Sequence, residues 1–151
     1  MQTTASITTN LAVLCGFIGW LSAQGLKFIF SIMETHKVDF TVFVSTGGMP
    51  SSHSSLVSAL TTSVGLTEGF DSPLFAVALG LALIVMFDAQ SFRRAAGQQA
   101  RLLNQIVDEF FKEHHFPEKK LGELLGHTRF EVLLGMLLGV LVALLVHHIA
   151  G

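Results

Sequence analysis

The chain has 151 residues, of which half are apolar and 13% charged, with a formal net charge of −2 and a mean hydropathy of +0.60. That balance fits one membrane-embedded domain over 1–151 and lacks the basic excess that a nucleic-acid partner requires. A lone cysteine, Cys15, excludes an intrachain disulfide.

Met1 to Asn10 is polar, threonine-rich and uncharged, a short tail or helix cap. A first span is predicted over 11–33. Leu11 to Met33 carries a single charge, Lys27, and meets the roughly 20-residue requirement for crossing a bilayer. No Lys or Arg precedes it, so the positive region of a secretory signal is missing and the segment reads as a retained span. Gly16, Gly19, Ser22 and Gly25 offer close helix contacts. Lys27 has two readings, a side chain that snorkels to the interface or one that faces inward at a site.

Gly47-Gly48-Met49-Pro50-Ser51-Ser52-His53 follows a short polar connection. The glycines permit backbone angles closed to other residues, and Pro50 suits the start of a helix. A helix beginning at Ser51 would set His53 among the N–H groups of its first turn, which favour an anion. A plain N-capped helix is the alternative. The second span, 51–66, is dotted with Ser and Thr, which suits burial against other helices better than exposure to lipid. Thr67 to Ser72 is a turn, and Pro73 opens a third span over 73–89. An amphipathic surface helix is predicted over 92–113, where Leu102, Leu103, Ile106, Val107 and Phe110 recur at helical spacing. On it Arg94, Gln98 and Arg101 form one polar stripe. The last span is 130–149, with Gly135 and Gly139 in a G-x-x-x-G pair. The expected fold is therefore an all-α integral membrane bundle of about four spans plus the surface helix.

If all four segments cross, the end of the first, the start of the second, the end of the third and the start of the fourth share one side. Lys27, His53, Asp88, Arg93, Arg94, His127 and Glu131 then converge by topology. Lys37, Arg101, Lys112, Lys119, Lys120 and Arg129 fall on the same side, and the opposite side has no Lys or Arg. The positive-inside rule makes the polar side cytoplasmic, and the expected location is a bacterial inner membrane.

His127-Thr128-Arg129-Phe130-Glu131 puts a carboxylate one helical turn after a histidine, where it can orient the imidazole and stabilise its cation. Its competitor is a first-turn acid placed by the helix dipole. A divalent-metal site from His53, His127, Glu131 and Asp88 is disfavoured, because these residues lack the close His/Cys spacing of strong metal motifs. Two histidines, an acid and several cations at a membrane surface point to an anionic substrate with a lipid tail, most naturally a phosphate.

Pro50-Ser51-Ser52-His53 resembles the Pro-Ser-Gly-His motif of the type 2 phosphatidic acid phosphatases (PAP2), and HTRFEVLLGMLLG over His127 to Gly139 resembles the end of that superfamily's third motif. Together with Asp88-Ala89 and Arg93 to Ala100, the whole chain is similar to the small divergent branch of these proteins. The resemblance implies a lipid phosphatase with His127 as the nucleophile that forms a phosphohistidine, Glu131 orienting it and His53 as general acid. It implies phosphate binding by Lys27 with Arg93 or Arg94, helped by Ser51 and Ser52. Asp88 and Gln98 would be supporting residues, with Asp88 read as a salt-bridge partner of an arginine in preference to a metal ligand. No cofactor is implied, and vanadate should inhibit as a phosphate mimic.

This chain departs from the family pattern. Lys27 is followed seven residues later by Glu34 in place of an arginine, Leu121 stands where the third motif has an arginine, Ser52 replaces a glycine and Glu131 an aspartate. Arg93 and Arg94 are the available replacement cations. The expected substrates are phosphatidylglycerophosphate, phosphatidic acid or a polyprenyl diphosphate. The alternative function is non-catalytic binding or transport of anionic lipids, and a homodimer is a further expectation from the G-x-x-x-G pair and the short spans.

Overall fold

The computed structural model describes residues 10–36, 48–110 and 128–150, without the side chains of 34, 92–96 and 108–110. They form four helices: α1 (Leu11–Thr35), α2 (Ser52–Glu68), α3 (Pro73–Phe110) and α4 (Arg129–Ala150). The protein is an all-α integral membrane bundle. Among the described residues, three helices are long and apolar enough to cross a bilayer, through Leu11–Met33, Pro73–Ser91 and Arg129–Ala150. The fourth, α2, has 17 residues, and at about 1.5 Å per residue it is shorter than the hydrocarbon core.

What α2 lacks in hydropathy it recovers in neighbours. It packs against all three other helices, and its hydroxyls reach each of them. The Ser55 Oγ–H donates to the Gly19 carbonyl of α1 at 2.8 Å, Ser58 to the Met136 carbonyl of α4 at 3.1 Å, and Thr61 to the Ala78 carbonyl of α3 at 3.1 Å. Ser63 Oγ pairs with His147 Nε2 at 2.8 Å. Hydroxyls that would be unsatisfied against lipid are therefore satisfied inside the bundle, as their density predicts. The same contacts give the topology. Lys27 lies beside Ser52 and Gly19 beside Ser55 and Ala59, so α1 and α2 are antiparallel; α4 runs parallel to α2 from Ser51 beside Gly135 to Ser63 beside His147.

Close approach depends on glycine. A Cβ at Gly139 would collide with Ser58 Oγ and the Ser55 carbonyl, and one at Gly135 with the Ser51 carbonyl. The G-x-x-x-G pair therefore seats α4 on α2 within one chain and is not free to support a homodimer. Gly19 makes the equivalent contact from α1, whereas a Cβ at Gly25 would meet nothing within 4 Å among the described residues.

Helix ends follow local chemistry. The Asn10 side chain accepts from Ala12 N and Val13 N, capping α1, and His36 closes it in a left-handed conformation with its N–H on the Ile32 carbonyl. Gly69 and Ser72 turn the chain from α2 into α3, with Ser72 Oγ accepting from Phe75 N and Pro73 in the first helical position. The third span and the described part of the surface helix belong to one helix, Pro73–Phe110, of 38 residues. No proline interrupts Asp88 to Gln99, so nothing ends the helix there. At about 1.5 Å per residue it is roughly 57 Å long, nearly twice the hydrocarbon core, and its last five turns lie beyond Ser91.

Candidate functional site

The site is built where the end of α1, the start of α2 and the start of α4 meet. Its centre is Lys27. Although it stands near a helix end, from which a lysine can reach the interface, it is only 4% exposed, and its Nζ donates to Ser52 Oγ at 3.3 Å. The side chain therefore points inward and does not snorkel. Ser52 is itself 3% exposed, and Gly48, with φ near +93°, lies over the Lys27 methylenes. A buried ammonium at membrane depth is costly, and it is retained typically where it meets an anion or serves a pathway.

The turn ahead of α2 presents Ser52 to Lys27. Met49-Pro50 is a cis peptide, and Ser51 is the N-cap, its backbone N–H donating to the Glu131 carbonyl at 3.0 Å. That bond ties the start of α2 to the first turn of α4. Ser51 is fully buried, and its Oγ is engaged with Ser54 N at 3.4 Å and Ser54 Oγ at 3.0 Å. The neighbouring serines thus have different work. Ser51 holds the helix start, and Ser52 faces the cation. His53, one residue on, is exposed at the same end. The positive pole of the α2 dipole adds to the Lys27 charge at this point, so the local field favours an anion.

Glu131 sits in the first turn of α4. Its Oε2 accepts from Thr128 N at 3.1 Å while Thr128 Oγ1 accepts from Glu131 N at 3.3 Å, a reciprocal capping box. Thr-x-x-Glu ahead of an apolar run is a capping signature, and Thr128 acts here as the helix cap. His127 lies immediately before the described part of this helix and outside the described residues. Arg93 and Arg94 are in the α3 backbone, but their side chains are outside the description. Asp88 is exposed near the end of the α3 span, and Gln98 is exposed on the overhang beyond Ser91. The structure thus brings Lys27, Ser51, Ser52 and the Glu131 backbone together, with His53 at the same end.

In the comparisons with known proteins, the model of the divergent PAP2 family matches residues 8–142. The chain is 42% identical over 153 aligned positions to the uncharacterized membrane protein YuiD of Bacillus subtilis (strain 168), covering 94% of this chain and 97% of that one. No solved structure matches.

Proposed function

This chain belongs to the divergent PAP2 family, and from that premise we propose that it is a membrane phosphatase acting on a lipid phosphate through a phosphohistidine. The observation that carries the reading is the buried Lys27 ammonium held on Ser52 at the N-terminal pole of α2. Such a pocket attracts the equatorial oxygens of a phosphoryl group and stabilises the charge that builds on them during transfer.

In the proposed reaction an imidazole nitrogen of His127 attacks phosphorus, and the bond from phosphorus to the lipid oxygen breaks. His53 gives that oxygen its proton. Water, deprotonated by His53, then attacks the phosphohistidine, releasing phosphate and restoring both histidines. Lys27 and Ser52 hold the phosphoryl oxygens, with Arg93 or Arg94 adding charge from α3. Glu131 orients His127; its carboxylate has two oxygens, so capping Thr128 through one is compatible with a hydrogen bond through the other. Ser51 acts by fixing the helix start. Phosphatidylglycerophosphate, phosphatidic acid and polyprenyl diphosphates are the substrates proposed.

The test is phosphate release from a panel of these lipids by the purified protein at neutral pH, with and without EDTA. We expect release that survives EDTA, is inhibited by vanadate and disappears in His127→Ala. Release retained in that variant would remove His127 from its role. Lipid binding without release in the wild type would favour a binding or transport protein instead.

The site is proposed to face the cytoplasm of a bacterial inner membrane, since the positive residues gather on its side. A reporter fused to the C-terminus should then be active only outside the cytoplasm, and cytoplasmic activity would reverse the orientation.

A further inference from the structure

Between α1 and α4 runs a groove of about 430 Å³ with no polar side chain in its wall among the described residues. It is lined by Leu26 and Phe30 of α1, by Pro50 ahead of α2, and by Phe130, Leu134 and Leu141 of α4. From Phe130 to Leu141 the wall follows α4 for about 16 Å at about 1.5 Å per residue, roughly half the hydrocarbon core. No described side chain of α3 lines the wall, and Phe30, Phe130 and Leu141 are exposed, so the groove is open sideways to the bilayer.

Its position is informative. Leu26 is next to Lys27, Pro50 is next to Ser51 and two residues before Ser52, and Phe130 is next to Glu131. Each of the three elements that build the polar site thus also supplies residues to the apolar wall. A ligand that satisfies both surfaces has an anionic head at Lys27 and an apolar tail running away from it along α4. The volume lies within the range of about 300–1,000 Å³ usual for small-molecule sites, whereas a packed helix is about 10–12 Å across and would need a broad face.

We propose that this groove holds one hydrocarbon chain of a lipid phosphate, entering sideways from the bilayer with the phosphate at Lys27 and Ser52. The inference rests on reading that end as the phosphate site. A single groove takes one chain, so a two-chain lipid would leave its second chain in the bilayer, and the length of the first would be measured against Leu141 at the far end.

The experiment uses the full chain in phosphatidylcholine vesicles with a single-chain lipid phosphate carrying a photoreactive diazirine near its chain end. Adducts are expected on 26–30 and 134–141. Labelling should fall when unlabelled lipid phosphate competes, and by about tenfold or more in Leu134→Trp, which fills the groove. Leu141→Trp, at an exposed position, should fold normally and shift labelling toward shorter-chain probes. Adducts spread over the outward leucines of α3, or labelling unaltered in both variants, would overturn the proposal. Phosphate release is followed in the same vesicles. Groove labelling without release would keep the chain site and remove the hydrolase reading, whereas release with labelling outside the groove would do the reverse.

Discussion

Lys27→Met should lower phosphate release from lipid substrates by about 10²–10³-fold, the usual cost of removing one preorganised donor from a developing negative charge. Methionine keeps the length and apolar stem of lysine, so packing beneath Gly48 is preserved while the ammonium on Ser52 is lost. Stability should move little or rise, because exchanging a buried charge for an apolar side chain of similar volume removes its desolvation cost. The pairing of lost turnover with an unchanged melting temperature in detergent is the informative result. A variant with wild-type release would show that Lys27 is an architectural residue. Lys27→Arg keeps the charge but brings a wider, planar head into a closed space, so only partial activity is expected from it.

The second large effect is on the bundle itself. Gly139→Leu should abolish monodisperse protein in detergent or strongly lower its melting temperature. Even the first added carbon meets Ser58 Oγ and the Ser55 carbonyl, both held by α2. Overpacking of this kind costs about 1–3 kcal/mol in an ordinary core, and here the obstacle is mostly backbone. The displaced Ser58 would also lose its bond to the Met136 carbonyl. Gly25→Leu is the matched control, since its Cβ would meet nothing within 4 Å among the described residues. Equal melting temperatures for the two variants would contradict the seating of α4 on α2 through glycine.

Much of the architecture was legible in the sequence because bilayer physics leaves so few options. Long apolar runs had to be spans, and the hydroxyls of 51–66 had to turn inward. The direction of Lys27 was not legible, since snorkelling and burial are equally open to a lysine late in a span; the contact with Ser52 decides it. The composition of α3 changes from apolar to polar at Asp88 while the helix runs on to Phe110, because composition changes where a helix leaves the membrane whether or not it stops. Thr128 was passed over beside the more suggestive His127-Glu131 pair. The groove could not be foreseen, because the leucines of α4 that line it are indistinguishable in sequence from those that face lipid.

The hydroxyl-bearing interior of α2 has a consequence for how the protein is made. This segment is too short and too polar to partition into a bilayer on its own account, and its partners are carbonyls at Gly19, Ala78 and Met136, which emerge from the ribosome before and after it. Synthesis therefore passes through a stage in which α1 is in place while α2 still lacks two of its three acceptors. The final seating of α2, and with it the placement of Ser52 on Lys27, must wait for α4, which is made after it.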